Sequence, residues 1–154
     1  MPTNPDAPFA PISLADIERA MQRIRASIPV TPLAYSATLS KFTGNEIFLK
    51  LENLQMTGSF KERGALNRIL IMTADERRRG VIAASAGNHA QAVAYHATQH
   101  GIRSQIVMPI TTPIVKAVRT QEYGAEVILH GASFDEAVAE AYRRCEAEDL
   151  MFLH

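Results

Sequence analysis

The amino-acid sequence predicts an α/β fold with three layers, in which a parallel sheet lies between helices. Short apolar segments alternate along the chain with stretches that have the periodicity of amphipathic helices. The loops between them are short, and Gly, Pro, Ser or Thr mark the expected ends of the helices. This alternation is typical of βαβ units, whose crossover helices cover the faces of a parallel sheet.

The first half of the chain has one clear strand, at 46–51. Ser13 opens a helix of about 14 residues that ends before Pro29. Its apolar residues share one face, as a core-facing helix requires. They are Leu14, Ile17, Ala20, Met21 and Ile24. Residues 29–32 begin and end with proline and are expected to form an irregular link. The single strand indicates an incomplete second sheet.

Three further helices begin at a Ser or Thr that has a Glu three residues later. This spacing permits a capping box, in which the two side chains accept hydrogen bonds from each other's backbone N–H groups. The three pairs are Ser59 with Glu62, Thr73 with Glu76, and Ser133 with Glu136. The helices are expected at about 60–72, 74–79 and 134–148.

From residue 81 onwards, strands and helices alternate regularly. Helices are expected at about 88–99 and 112–123. Four apolar segments are expected to be strands: Val81–Ser85, Gln105–Met108, Glu126–Leu129 and Leu150–Leu153.

The composition excludes several classes of function. The 154 residues include 16 Lys and Arg against 16 Asp and Glu, so the basic surplus that nucleic-acid binding needs is missing. No apolar stretch approaches the roughly 20 residues of a membrane helix, and the N-terminus has no signal-peptide pattern. Because Cys145 is the single cysteine, no intramolecular disulfide can form. These features predict a cytoplasmic protein with neither a nucleic-acid nor a membrane partner.

Lys61 is the first candidate for chemistry. It lies in the first turn of its helix, where a cation opposes the helix dipole at a cost of about 0.3–1 kcal/mol. Its amine should therefore lose a proton more readily, as a lysine that forms a Schiff base must. The alternative is a solvated lysine whose charge is offset by Glu62.

The segment Ser85–His89 is the second candidate, because it joins a buried strand to a helix. Ligands in open α/β sheets bind at the carboxyl ends of the strands. Small residues allow close approach of the backbone, and N–H groups at a helix start attract a carboxylate or a phosphate. The alternative is an ordinary turn in which Asn88 caps the helix.

Other residues give weaker signals. The five histidines lack metal-ligand spacing with a cysteine, so no metal site is predicted. Cys145 lies among charged residues on a late helix, where an ordinary structural role is expected. The glycines do not form the G-x-G-x-x-G pattern of dinucleotide-binding loops.

Two motifs carry a family resemblance. They are ENLQMTGSFKERGA at 52–65 and ASAGNHAQ at 84–91. Together they resemble the threonine dehydratase (threonine/serine ammonia-lyase) group of fold-type II pyridoxal-phosphate enzymes, in the tryptophan synthase β-like superfamily. The similarity continues through 112–136 and favours a functional role for both candidate segments.

The resemblance implies pyridoxal 5′-phosphate as cofactor and a role for each motif residue. Lys61 would bind the cofactor in a Schiff base and act as general base at the substrate Cα, with Phe60 packed beside the cofactor. Asn88 would hydrogen-bond the pyridine 3′-oxygen. The substrate carboxylate would be held by Ser85, Ala86, Gly87 and His89. The implied reaction is α,β-elimination from L-threonine or L-serine, which yields a 2-oxo acid and ammonia.

Two positions discriminate among related activities. Serine racemases carry a second serine where this chain has Ala86, and a methyl group cannot transfer a proton, so racemisation is disfavoured. His89 argues against cysteine and threonine synthases, which have a threonine there. Dehydration of hydroxyaspartate is an open alternative.

Members of the family are much longer than this chain, so the resemblance implies an N-terminal portion. Residues 1–78 are expected to be an incomplete part of the large cofactor domain, and residues 79–154 the small α/β domain. The helix near 13–27 and the strand near 46–51 would then expose faces that the missing half covers. The full-length form is expected to be a homo-oligomer. Catalysis is expected to require the missing C-terminal half, and a truncated non-catalytic α/β module is the remaining alternative.

Overall fold

The computed structural model describes residues 12–154, which form seven α-helices and six strands. The helices are α1 (Leu14–Ile24), α2 (Ala37–Thr43), α3 (Lys61–Leu70), α4 (Ala74–Arg79), α5 (Asn88–Gln99), α6 (Ile114–Glu122) and α7 (Phe134–Ala147). The strands are β1 (Leu33–Tyr35), β2 (Phe48–Lys50), β3 (Val81–Ala84), β4 (Ser104–Met108), β5 (Glu126–Leu129) and β6 (Met151–Phe152). A 3₁₀ turn, Glu52–Leu54, follows β2. The prediction that the N-terminus has no signal-peptide pattern concerns residues 1–11, which lie outside the described residues.

Four strands form a parallel sheet in the order β5–β4–β3–β6, which confirms the predicted α/β class. Along β3, Val81–Ala84 pair with residues 104–107 of β4. The other edge of β3 pairs with β6. Each of the four strands lies within a segment predicted from the sequence or extends it by one residue, although β6 has only two residues.

Helices cover both faces of this sheet and give the predicted three layers. Successive residues of a strand point to opposite faces. Val81 and Ala83 therefore pack with residues of α3, α5 and α6, whereas Ile82 packs with residues of α7. The buried face of α5 consists largely of alanines. Because these side chains are small, α3 packs closely against α5.

The first helix is shorter than predicted, and most of its apolar face is exposed. α1 has 11 residues, and one of its apolar residues, Ile24, is buried against Leu66 of α3. Leu14, Ile17 and Met21 are 71%, 58% and 50% exposed. The expectation that this helix and the strand near 46–51 expose faces is thus confirmed, since the residues of β2 are exposed as well.

A second sheet of two antiparallel strands precedes α3. Its strands, β1 and β2, pair from Leu33 with Lys50 to Tyr35 with Phe48. β1 and α2 were not predicted, and the strand expected at 46–51 has three residues. Elements of three to seven residues are too short to display a clear hydrophobic period.

The predicted capping boxes are confirmed to different extents. Thr73 and Glu76 form both hydrogen bonds of a box at the start of α4. At α7, Ser133 accepts a hydrogen bond from the N–H of Glu136 at 3.2 Å. The Glu136 carboxylate, however, accepts from the residue before Ser133. The third box, at the start of α3, is not formed.

Two further features concern residues 12–154 as a whole. No helix in this range is long and apolar enough to cross a membrane. The same residues contain no group of three or more His, Cys, Asp or Glu side chains arranged to hold a metal ion.

Candidate functional site

Lys61 and His89 line one cavity, which has a volume of about 230 Å³. Lys61 is the first residue of α3 and His89 is the second residue of α5. The cavity therefore lies at the N-terminal ends of two packed helices, where the helix dipoles are positive. The other lining residues are Phe60, Gly64, Ala65, Arg68, Leu153 and His154.

The Lys61 side chain is exposed and extends over the ring of Phe60. Its Nζ lies 5.3 Å from the ring centroid, within the range of a cation–π contact. The idea that Glu62 neutralises Lys61 is wrong, because Glu62 is buried and its carboxylate faces Thr57 and His96 instead. The first turn of α3 thus presents the Lys61 amine to the cavity.

The start of α3 differs from the predicted capping box. The helix begins at Lys61, and its N-cap residue, Phe60, has no side chain that can cap. Ser59 Oγ accepts a hydrogen bond from the Lys61 N–H at 3.3 Å. Glu62 does not return to Ser59 but accepts a hydrogen bond from the Thr57 N–H. The box is replaced by these two separate hydrogen bonds, each between α3 and a residue of the loop before it.

The turn between β3 and α5 is organised by Ser85. Its Oγ accepts hydrogen bonds from the N–H groups of Gly87 at 3.2 Å and Ala90 at 3.3 Å. Both acceptor positions of this hydroxyl are therefore used, and its O–H group remains as the donor for a ligand. Ser85 caps the helix start in place of Asn88, which is exposed in the first turn of α5.

His89 is held at the cavity wall by a residue far away in the sequence. Its Nε2 donates a hydrogen bond to the backbone oxygen of Leu153 at 3.3 Å. Burial lowers the pKa of His89 below 6.5, and the charge of Lys61 acts in the same direction, while the bond to Leu153 opposes both. The imidazole is consequently neutral at pH 7, and because its Nε2–H donates to Leu153, its Nδ1 is an acceptor.

The cavity brings together three of the seven predicted site residues, namely Phe60, Lys61 and His89. Among the described residues, the other four do not line it. They are Ser85, Ala86, Gly87 and Asn88, which form the turn just before His89 at the carboxyl end of β3.

Arg68 lines the cavity but was not predicted. Its Nη2 lies 3.2 Å from Glu76 Oε1, so the guanidinium group is held by α4. The sequence does contain a signal for this residue. Positions i, i+3, i+4 and i+7 of a helix share one face, and counted from Lys61 they reach Gly64, Ala65 and Arg68.

Residues 24–154 match the family described as pyridoxal-phosphate dependent enzyme. The chain belongs to this family. It is 51% identical over 143 residues to the L-threonine ammonia-lyase of Thermotoga maritima. Its fold is similar to those of threonine deaminase isoform 2 from Solanum lycopersicum (TM-score 0.80, 34% identity) and the serine racemase of Dictyostelium discoideum (TM-score 0.85, 34% identity). The predicted fold-type II architecture is thereby confirmed.

These alignments cover most of this chain but less than half of its relatives. They include 93% of the chain for the ammonia-lyase and the deaminase, and 94% for the racemase. The corresponding shares of the relatives are 36%, 41% and 47%. The chain therefore spans about a third to a half of the length of these relatives.

Proposed function

We propose that this chain supplies the lysine-bearing part of a pyridoxal-phosphate-dependent ammonia-lyase that acts on L-threonine or L-serine. The observation that carries this proposal is the shared cavity of Lys61 and His89 at two helix N-termini. The names of the relatives add support, since an L-threonine ammonia-lyase is 51% identical to the chain. The products are a 2-oxo acid and ammonia.

The residues around the cavity fit the cofactor chemically. Lys61 offers an amine that can bind an aldehyde covalently, and Phe60 offers an aromatic face beside it. Asn88, at the start of α5, offers an amide for the oxygen on the pyridine ring. Pyridoxal phosphate, when bound, withdraws electrons from the Cα of an attached amino acid.

The turn before α5 is assigned to the substrate carboxylate. The Ser85 O–H group and the backbone of Ala86 and Gly87 can each approach an anion at this helix start. His89 joins them when its ring N–H turns from the Leu153 oxygen to the carboxylate. The positive end of the α5 dipole favours the carboxylate there. This holds the substrate in one orientation, with its Cα towards Lys61.

Lys61 then acts as the general base. Its Nζ removes the proton from the substrate Cα, and the β-hydroxyl takes up a proton as its bond to Cβ breaks and leaves as water, so one proton is lost and one is gained. Water next hydrolyses the released enamine to the 2-oxo acid and ammonia, so the water lost in the first step is regained in the second. The role of the chain is to orient the substrate and to move one proton at Cα.

The other interpretations have distinct products. Serine racemisation remains a candidate because a serine racemase shares the fold, but Ala86 offers no group to protonate the opposite face of Cα. Dehydration of hydroxyaspartate would yield oxaloacetate. A non-catalytic module would yield no product.

We further assign residues 1–78 to an incomplete part of the large cofactor domain and residues 79–154 to the small domain. We also assign the full-length protein to the cytoplasm, as a homo-oligomer.

The test is product analysis with the purified chain and added pyridoxal phosphate. Reaction with L-threonine should release 2-oxobutanoate and ammonia in equal amounts, and Lys61→Ala should abolish both. L-serine, hydroxyaspartate and chiral analysis of serine are assayed in parallel. Appearance of D-serine without 2-oxo acid would overturn the proposal in favour of racemisation. No product together with an adduct at Lys61 would mean that turnover requires the missing C-terminal half. No product and no adduct would favour the non-catalytic module.

A further inference from the structure

A buried carboxylate lies directly beside Lys61 in the sequence, on the side of α3 that faces away from the cavity. Glu62 is 1% exposed. One of its oxygens, Oε1, accepts a hydrogen bond from the N–H of Thr57. The other, Oε2, lies 3.4 Å from Nε2 of His96, a close polar contact without the geometry of a hydrogen bond. A carboxyl group is costly to bury without polar neighbours, and each oxygen of Glu62 has one.

The two partners of Glu62 belong to different parts of the site. Thr57 lies in the loop that leads into α3, four residues before Lys61. His96 lies in α5, the helix whose first turn carries His89, and its side chain is 4% exposed. A single side chain therefore lies between the loop before Lys61 and the helix that bears His89.

The next residue of α3 holds the beginning of the same loop. Arg63 donates two hydrogen bonds of 2.8 Å to the two carboxylate oxygens of Glu52, in the 3₁₀ turn. Successive side chains of a helix point about 100° apart, which follows from 3.6 residues per turn. Lys61 can therefore face the cavity while Glu62 and Arg63 hold the middle and the start of the loop.

We propose that Glu62 is a positioning residue for Lys61. Its carboxyl group accepts from the Thr57 N–H and packs against His96 of α5. Glu62 thereby holds the loop next to α5, and this sets where the Lys61 amine lies relative to His89. The inference rests on the proposed cofactor role of Lys61, and it assigns Glu62 no contact with cofactor or substrate.

The experiment measures the rate at which pyridoxal phosphate modifies each lysine of the full chain. Cyanoborohydride traps the adducts, and peptide mass mapping gives the yield at Lys61 relative to the exposed Lys41 and Lys116. Glu62→Ala should slow modification of Lys61 by about tenfold, the effect of one lost buried hydrogen bond. Glu62→Gln should restore the rate to within about twofold, because its amide oxygen can still accept from Thr57.

The matched control is Glu140→Ala, which removes another buried carboxylate, one that pairs with Arg143 and Arg144 on α7. It should leave the Lys61 rate unchanged although the chain loses stability. All rates are compared at equal folded fraction, measured by circular dichroism. Equal slowing in Glu62→Ala and Glu140→Ala, or no slowing in Glu62→Ala, would overturn the inference.

Two further measurements keep the result interpretable. If Glu62→Ala does not fold, His96→Ala is used, and an unchanged Lys61 rate in that variant would refute the proposed support from α5. Amide hydrogen exchange of the Thr57–Phe60 segment needs no cofactor, and it should be faster in Glu62→Ala than in Glu140→Ala. If the unaltered chain forms no adduct at Lys61, the proposed function fails, and the exchange result alone decides whether Glu62 holds the loop.

Discussion

Replacing Arg63 by methionine should destabilise the chain, and the loss should depend on pH. Arg63 Nε and Nη2 hydrogen-bond to Glu52, and Thr31 Oγ1 adds a further hydrogen bond of 2.5 Å. The bonds from Arg63 are the main reason that the pKa of Glu52 falls to about 2, and the bond from Thr31 contributes less. Methionine retains an apolar side chain of similar length, so the variant removes chiefly the two charged hydrogen bonds.

The expected magnitude follows from the pKa of Glu52. The fall from 4.5 to about 2 corresponds to about 3 kcal/mol of folding free energy, at about 1.4 kcal/mol per pKa unit. The Arg63 side chain is 35% exposed, and water screens such a pair. We therefore expect Arg63→Met to lower the free energy of unfolding by about 1–2 kcal/mol at pH 7.

The sign of the pH dependence is fixed by the direction of the pKa change. A carboxyl group whose pKa is lower in the folded state stabilises the fold at pH values above its unfolded pKa. For Glu52 this stabilisation is complete above about pH 5 and disappears as the pH falls through about 2. The difference between the unaltered chain and Arg63→Met should therefore shrink by about 20–40% between pH 7 and pH 3.

Urea denaturation followed by circular dichroism at pH 7, 5 and 3 measures this difference. Arg78→Met is the matched control, since it removes a pair of 2.7 Å with Asp75 whose side chains are 70% and 67% exposed. Such a pair contributes at most about 0.5 kcal/mol. The reasoning is refuted if both variants lose equal stability at pH 7, or if the loss in Arg63→Met is the same at pH 3.

Three other predictions concern the packing and the site. Leu66→Ala should lower the free energy of unfolding by about 2–5 kcal/mol in urea denaturation, because Leu66 is fully buried; the exposed Leu54→Ala should change it by less than about 0.5 kcal/mol. Gly80→Ala should lower the free energy of unfolding by about 1 kcal/mol more than Gly101→Ala in the same assay. Both glycines have a positive φ, but of the two only a Cβ at position 80 would meet a backbone oxygen, at 2.9 Å. Equal losses of stability in the two variants would contradict this. His89 should titrate below pH 6.5 in an NMR experiment, because burial lowers its pKa. Since its pKa is lower in the folded state, protonation of His89 at acidic pH should destabilise the fold. A titration midpoint above 6.5 would be inconsistent with the observed burial.

The second half of the fold could be predicted from the sequence because its two central strands, β3 and β4, are buried on both faces. Runs such as Val81–Ala84 contain apolar residues throughout, and the helices between the strands are long enough to show a period. The first half was predicted less well. β1 and β2 have three residues each, and their exposed residues give no alternating pattern.

The site was predicted in part because two motifs carry the family resemblance. The order of the two motifs was sufficient to single out Phe60, Lys61 and His89, which line one cavity. The bond from His89 to Leu153 spans 64 residues, and no local pattern reveals such a contact. The partner of Glu62 was predicted wrongly because the local spacing of a capping box gave way to the tertiary contact with His96.

The most direct test of the central claim is to map where pyridoxal phosphate binds covalently. The purified chain is mixed with the cofactor, its absorption spectrum is recorded, and borohydride reduction followed by peptide mass mapping locates the adduct. The account predicts a visible absorption band and an adduct at Lys61, both absent in Lys61→Ala. An adduct spread over Lys41, Lys50 and Lys116, or one that persists in Lys61→Ala, would contradict it.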